Sequence, residues 1–148
     1  MHRRNMLTAF IAGVGGLMAA ATPARKAQAA PDKSKVVYHL ADLDKVAFVL
    51  GNIRNHYKGV GGPDKVTIAL VVHGPALKAF EKKAASPDLA RHVGAFAKDG
   101  LQLNACGNTM RAQKVTLADL LLGFVKAEQG GVVRLVELQA MGYAYLRP

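Results

Sequence analysis

The chain has 148 residues, 51% of them apolar, which is enough for one domain with a sizeable core. Its 20 Lys and Arg against 10 Asp and Glu give a formal charge of +10. No run of five like charges occurs, so the excess reads as a solvated basic surface and excludes a nucleic-acid-binding tail. The single cysteine excludes an intramolecular disulfide.

Arg3 and Arg4 precede an apolar, small-residue run over 6–21, and Ala27-Gln28-Ala29 follows. A charged start, an apolar middle and an A-x-A site in that order are an export leader over 1–29. The run is too weakly hydrophobic and too short for a stable membrane span. The arginine pair points to the twin-arginine route, with an ordinary secretory leader as the alternative. Cleavage after Ala29 removes Arg3, Arg4, Arg25 and Lys26, lowers the charge from +10 to +6 and leaves one domain over 30–148. The expected location is the periplasm, where a lone thiol is buried, paired with another molecule or used chemically.

After a short polar lead, residues 36–40 are β-branched and aromatic and predict a first strand. Asp42 stands where a helix cap belongs, and Leu43, Val46, Ala47, Leu50, Ile53 and Tyr57 keep the three/four spacing of one helical face. The glycine cluster over 59–63 stops that helix. It precedes a strand and has no following Gly-Lys-Ser/Thr, so it is no phosphate loop. Residues 66–72 are almost continuously apolar, as in a strand buried on both faces.

His73-Gly74-Pro75 ends that strand, and helices are expected over 76–83 and 88–98, separated by Ser86-Pro87. A third strand is expected over 101–105. Thr116-Leu-Ala-Asp119 has the pattern of a capping box opening the apolar run 117–122. A short fourth strand over 124–128, a helix over 132–141 stopped by Gly142, and a last strand over 143–146 complete the chain. Strands alternating with helices predict a three-layer α/β/α fold with a mostly parallel sheet of about five strands.

Such sheets bind ligands beyond the carboxyl ends of their strands. That rule singles out His39, His73 and Cys106, at or near the ends of the first three strands. Cys106 is either an inert core cysteine or a reactive thiol. Free N–H groups and the positive end of a following helix would lower its pKa. Gly107 would allow close backbone approach, Asn108 or Thr109 would cap the helix, and Arg111 and Lys114 would add positive potential. His73 is a candidate to orient or deprotonate the thiol if strands two and three are neighbours. His39, between the ordinary strand residues Tyr38 and Leu40, is expected only near the site. His56 and His92 fall in helical patterns and are expected at the surface. Histidine and cysteine are ligand types for zinc or copper, but no short spacing gathers them. No metal and no other cofactor is expected.

Three segments carry a resemblance. Val71-Val72-His73-Gly74 ends the second strand, Leu103-Asn104-Ala105-Cys106-Gly107-Asn108-Thr109-Met110 forms a cysteine loop, and Gln139-Ala-Met-Gly-Tyr-Ala-Tyr-Leu-Arg-Pro148 forms a helix-to-strand ending. Together they resemble the DsrE/DsrF-like family, which includes the YchN-like proteins, over about Lys35 to Pro148. The resemblance implies a three-layer α/β/α fold assembled into homo- or hetero-oligomers. It also implies that Cys106 carries sulfur as a persulfide. His73, Gly74, His39, Asn104, Gly107, Asn108, Thr109 and Arg111 would then surround it. Some relay members carry a second cysteine three positions on, where this chain has Thr109.

The implied partners are a second copy of the chain and a sulfur donor or acceptor, either a protein or a small sulfur anion, with no nucleic acid. The alternative is a non-catalytic oligomeric module that binds a small ligand or anion, with Cys106 only lining the pocket.

Overall fold

The computed structural model describes residues 33–148; the leader expected over 1–29 lies outside them. Five strands form one sheet: β1 (Ser34–Leu40), β2 (Val66–Val72), β3 (Gln102–Cys106), β4 (Phe124–Ala127) and β5 (Ala144–Leu146). The order is β4-β3-β2-β1-β5 and every pairing is parallel. Four α-helices accompany it: α1 (Val46–Val60), α2 (Pro87–Lys98), α3 (Gly107–Gln113) and α4 (Gly131–Ala140). The expected α/β/α fold with a parallel sheet is therefore the observed one. Among the described residues no helix is long and apolar enough to cross a membrane.

The core divides according to the two faces of the sheet. Side chains alternate along a strand, so Val36, Tyr38 and Leu40 of β1 face one side together with Ile68, Leu70 and Val72 of β2. There they meet Val49 and Ile53 of α1, Phe80, Phe96 of α2 and Met110 of α3. Val37, Ala69 and Val71 face the other side and pack on Leu135 and Leu138 of α4, with Tyr143 at the margin. One face carries a thick core; the other has a single helix and keeps room for polar chemistry.

Several expected elements change at their ends. Residues 43–45 form a 3-10 turn and α1 begins at Val46, so Leu43 and Ala47 are exposed and Val49 joins the buried face instead. Asp42 precedes that turn but accepts no capping hydrogen bond. The helix expected over 76–83 is a 3-10 helix over Gly74–Phe80. Thr116 and Asp119 do form the capping box, but the helix it opens ends at Asp119. Leu120 then turns into the core while Leu122 is exposed. A continuous apolar run carries no period with which to separate these outcomes. Helix α2 starts at Pro87, one residue before the expected 88, and Ser86 caps it by accepting a hydrogen bond from Leu89 N–H at 3.2 Å.

Candidate functional site

The candidate residues share one face. Strand parity puts His39 with Val37, His73 with Val71, and Cys106 with Asn104, on the side covered by α4. Strands β2 and β3 are neighbours, with Val71 opposite Asn104 and Val72 opposite Ala105, so Cys106 falls beside His73 at the carboxyl edge of the sheet. His73 N–H donates to Leu40 O at 3.0 Å, which carries the β1–β2 ladder one step past the strand. Gly131 opens α4 directly over this edge. A β-carbon on Gly131 would stand 3.2 Å from Cβ of Cys106 and 3.3 Å from Cβ of His73. A glycine lets the helix start settle between the two side chains.

Cys106 is the last residue of β3 and itself the cap of α3, which corrects the expectation that Asn108 or Thr109 would be the cap. The helix starts at Gly107 without an intervening loop, so the residue with extended backbone at that junction is the cysteine. Its Sγ accepts the Thr109 N–H at 3.5 Å. The Thr109 hydroxyl accepts the Gly74 N–H at 2.9 Å, which leaves its own proton for the sulfur. Gly74, at φ +59 in the left-handed region, aims that N–H at α3, and its carbonyl accepts from Gln113 Nε2 at 2.9 Å.

Cys106 is buried, at 5% exposure, yet it is not in an inert setting. Burial pushes its thiol pKa up. Hydrogen bonds from the Thr109 side chain and from the backbone N–H groups of Thr109, Gly131 and Asn108 outweigh that and hold it below the ordinary thiol value. Two of those N–H groups come from the start of α3 and one from the start of α4. Neither of the cations expected to help, Arg111 and Lys114, is among the groups that lower the thiol pKa. Arg111 Nη2 donates to Asn108 Oδ1, and Lys114 ends α3 in the left-handed conformation at φ 55. Helix-start N–H groups, rather than cations, favour the thiolate.

The two histidines form a unit. His39 Nε2 and His73 Nε2 face each other head to head in a hydrogen bond, with ring planes 19° apart and centroids at 4.6 Å. Tyr145 of β5 joins its hydroxyl to His39 Nδ1 at 2.6 Å. His39 is thus part of the site itself and not an ordinary strand residue near it. His73 stands beside Cys106, but its Nε2 engages His39 and not the thiol. Burial, then the positive charges of His73 and Arg147, push the His39 pKa down to about 4, with Asp42 opposing. Burial and Arg147 push His73 down as well, again against Asp42. Both rings are neutral at neutral pH.

Sequence reasoning missed Tyr145, Gly131 and Arg134. Arg134 of α4 donates from Nε to the buried Asn104 Oδ1 at 3.1 Å and from Nη1 to Glu137 Oε2 at 3.1 Å. Asn104, Arg134, Lys126 and Gly130 line an open pocket of about 330 Å³ beside the thiol. A β-carbon on Gly130, whose φ is +101, would stand 3.9 Å from Cys106 Sγ. His56 also departs from expectation. It is half-buried, with Nδ1 hydrogen-bonded to the Tyr38 hydroxyl at 2.9 Å, because its helix face turns toward β1. His92 is exposed as expected. Among the described residues, no three His, Cys, Asp or Glu side chains converge on a common metal position.

A wholly parallel five-stranded sheet between helices, with a thiol at its carboxyl edge under helix-start N–H groups, defines a class of α/β protein built around a strand-end cysteine. The model of the DsrE/DsrF-like family matches residues 27–148, and the chain belongs to that family, which is of the sulfur-relay type. Among solved structures, the chain is similar to the protein of unknown function MTH1491 from Methanobacterium thermoautotrophicum. The identity is 27% and the TM-score 0.69, over 78% of this chain and 100% of that one. No curated protein matches.

Proposed function

We propose that this protein carries sulfane sulfur as a persulfide on Cys106. The observation that supports this most is the ring of N–H and O–H donors from Asn108, Thr109 and Gly131 around Sγ. A thiolate is the nucleophile in sulfur exchange, and the same donors stabilise a persulfide anion. With a thiol persulfide as donor, the Cys106 thiolate attacks the outer sulfur. The new S–S bond forms at Sγ, the donor's S–S bond breaks, and its electron pair leaves on the donor thiolate. The sulfane sulfur keeps its oxidation state, so no oxidant or reductant is consumed. Transfer to an acceptor thiolate is the reverse step.

Two measurements check this. Intact mass after exposure to a thiol persulfide is expected to rise by one sulfur on wild type and not on Cys106→Ser. Alkylation of Cys106 against pH is expected to have its midpoint below the free-thiol value of about 8.5. The same adduct on Cys106→Ser, or no adduct on wild type, would sink the reading.

The proposed setting is the periplasm, supported by the leader-like segment Arg3–Ala29. Fractionation of cells expressing the full chain checks this, and recovery in the cytoplasm alone would remove that part. In a second reading an anion takes the pocket beside Gly130, displacing Glu137 from Arg134 and Glu128 from Lys126, with the thiol only adjacent. The thermal midpoint would then rise with the anion equally in wild type and Cys106→Ser.

A further inference from the structure

Tyr145, His39 and His73 come from β5, β1 and the end of β2, three adjacent places along the sheet, and their polar atoms join in sequence as far as His73, the neighbour of Cys106 at the sheet's carboxyl edge. The bonding restricts where the protons lie. Two Nε2 atoms face to face hold one proton between them, since two would repel and none would leave lone pair against lone pair. If Tyr145 donates to His39 Nδ1, then His39 donates from Nε2 to His73, and the His73 proton sits on Nδ1. If the chain runs the other way, each ring holds its proton on the opposite nitrogen. The two arrangements differ only by the concerted movement of protons along hydrogen bonds already formed.

The ends of this chain are suited to a relay. Tyr145 is 41% exposed, so its hydroxyl exchanges with solvent. His73 Nδ1 is one ring position from its own β-carbon, which packs with that of Cys106 against Gly131. The interior members are held neutral by burial, and Asp42 and Arg147, paired at 3.5 Å, are the charged groups that face them.

We propose that Tyr145, His39 and His73 form a proton relay between solvent and the sulfur-transfer site at Cys106; this rests on the persulfide reading above. In the loading step the departing donor thiolate takes the proton from His73 Nδ1. His73 Nε2 takes the Nε2 proton of His39, His39 Nδ1 takes the hydroxyl proton of Tyr145, and water restores the tyrosine. Each ring gives one proton and takes one, so neither passes through an imidazolium. His39 and Tyr145 act through His73 and are positioning residues in this scheme.

The test is the rate of sulfur loading from a thiol persulfide, followed by intact mass in H₂O and D₂O, for wild type, Tyr145→Phe and His39→Gln. Tyr145→Phe keeps the ring on an exposed strand and removes only the hydroxyl, so it preserves the fold even if His39→Gln does not. General acid assistance contributes on the order of a hundredfold or more. Both variants are expected to load at least tenfold more slowly, with the solvent isotope effect of wild type lost and the alkylation midpoint of Cys106 unchanged. Wild-type loading with variants at the same rate and isotope effect would overturn the relay and leave the persulfide reading standing. Failure of wild type itself to load would overturn both.

Discussion

Acidification from pH 6.5 to pH 4 is expected to destabilise the folded protein by roughly 3 kcal/mol through His39 alone. The direction follows from which state binds the proton. An unfolded histidine titrates near 6.5, whereas folded His39 is held down to about 4 by burial and by the neighbouring positive charges. Between those values the unfolded chain takes up a proton that the folded chain refuses. The stabilisation is complete above about 6.5 and is lost as pH falls through about 4. His73, lowered for similar reasons, adds to the same slope. A second proton, which puts N–H on both facing Nε2 atoms, also breaks the head-to-head contact. Urea unfolding at several pH values checks this. His39→Gln is expected to flatten the dependence, and parallel curves for the two proteins across the window would count against the dyad as its origin.

Gly107→Ala is expected to cost roughly 3 kcal/mol and to raise the alkylation midpoint of Cys106 toward that of a free thiol. An added β-carbon would stand 2.8 Å from the Ala127 carbonyl oxygen and 3.1 Å from that of Glu128. Both are backbone atoms at the end of β4, so neither can rotate away as a side chain would. Relief requires α3 to move off the sheet, and that carries the Asn108 and Thr109 N–H groups away from Sγ. Thermal unfolding and alkylation kinetics read the two effects separately. A variant with wild-type stability and an unchanged midpoint would mean that α3 can shift without disturbing the sulfur. Gly51→Ala makes a useful control, because nothing lies within 4 Å of a β-carbon there.

Much of the fold was legible because its signals are local. The continuous apolar run 66–72 has the pattern of a central parallel strand, and β2 occupies those residues. Gly61, at φ 92, ends α1 where the glycine cluster predicted a stop. Cys106 was also legible as a strand end followed by a helix. Its tight junction with α3 was not, because propensities do not separate a cap from the residue beside it. Tyr145 lay in the C-terminal segment of the resemblance, but nothing local marked it as a partner of His39. It sits on a three-residue strand that is exposed throughout, and its parallel partner β1 lies more than a hundred residues earlier.

The class of fold, and the placing of His39, His73 and the lone thiol at or near the ends of three strands, were legible in the sequence. These follow from hydrophobic period and turn chemistry, which act over a few residues. Assembly of the core made β1, β2 and β3 neighbours, laid α4 over the face they share, and set Gly131 at the start of that helix over the thiol. It also joined Tyr145 to the two histidines and turned Thr109 into a hydrogen-bond donor to the sulfur. Parallel strands are connected through helices and paired by packing, so their order and register belong to the assembled core. Atoms from three separate stretches of chain make Cys106 a buried cysteine whose surroundings favour the thiolate.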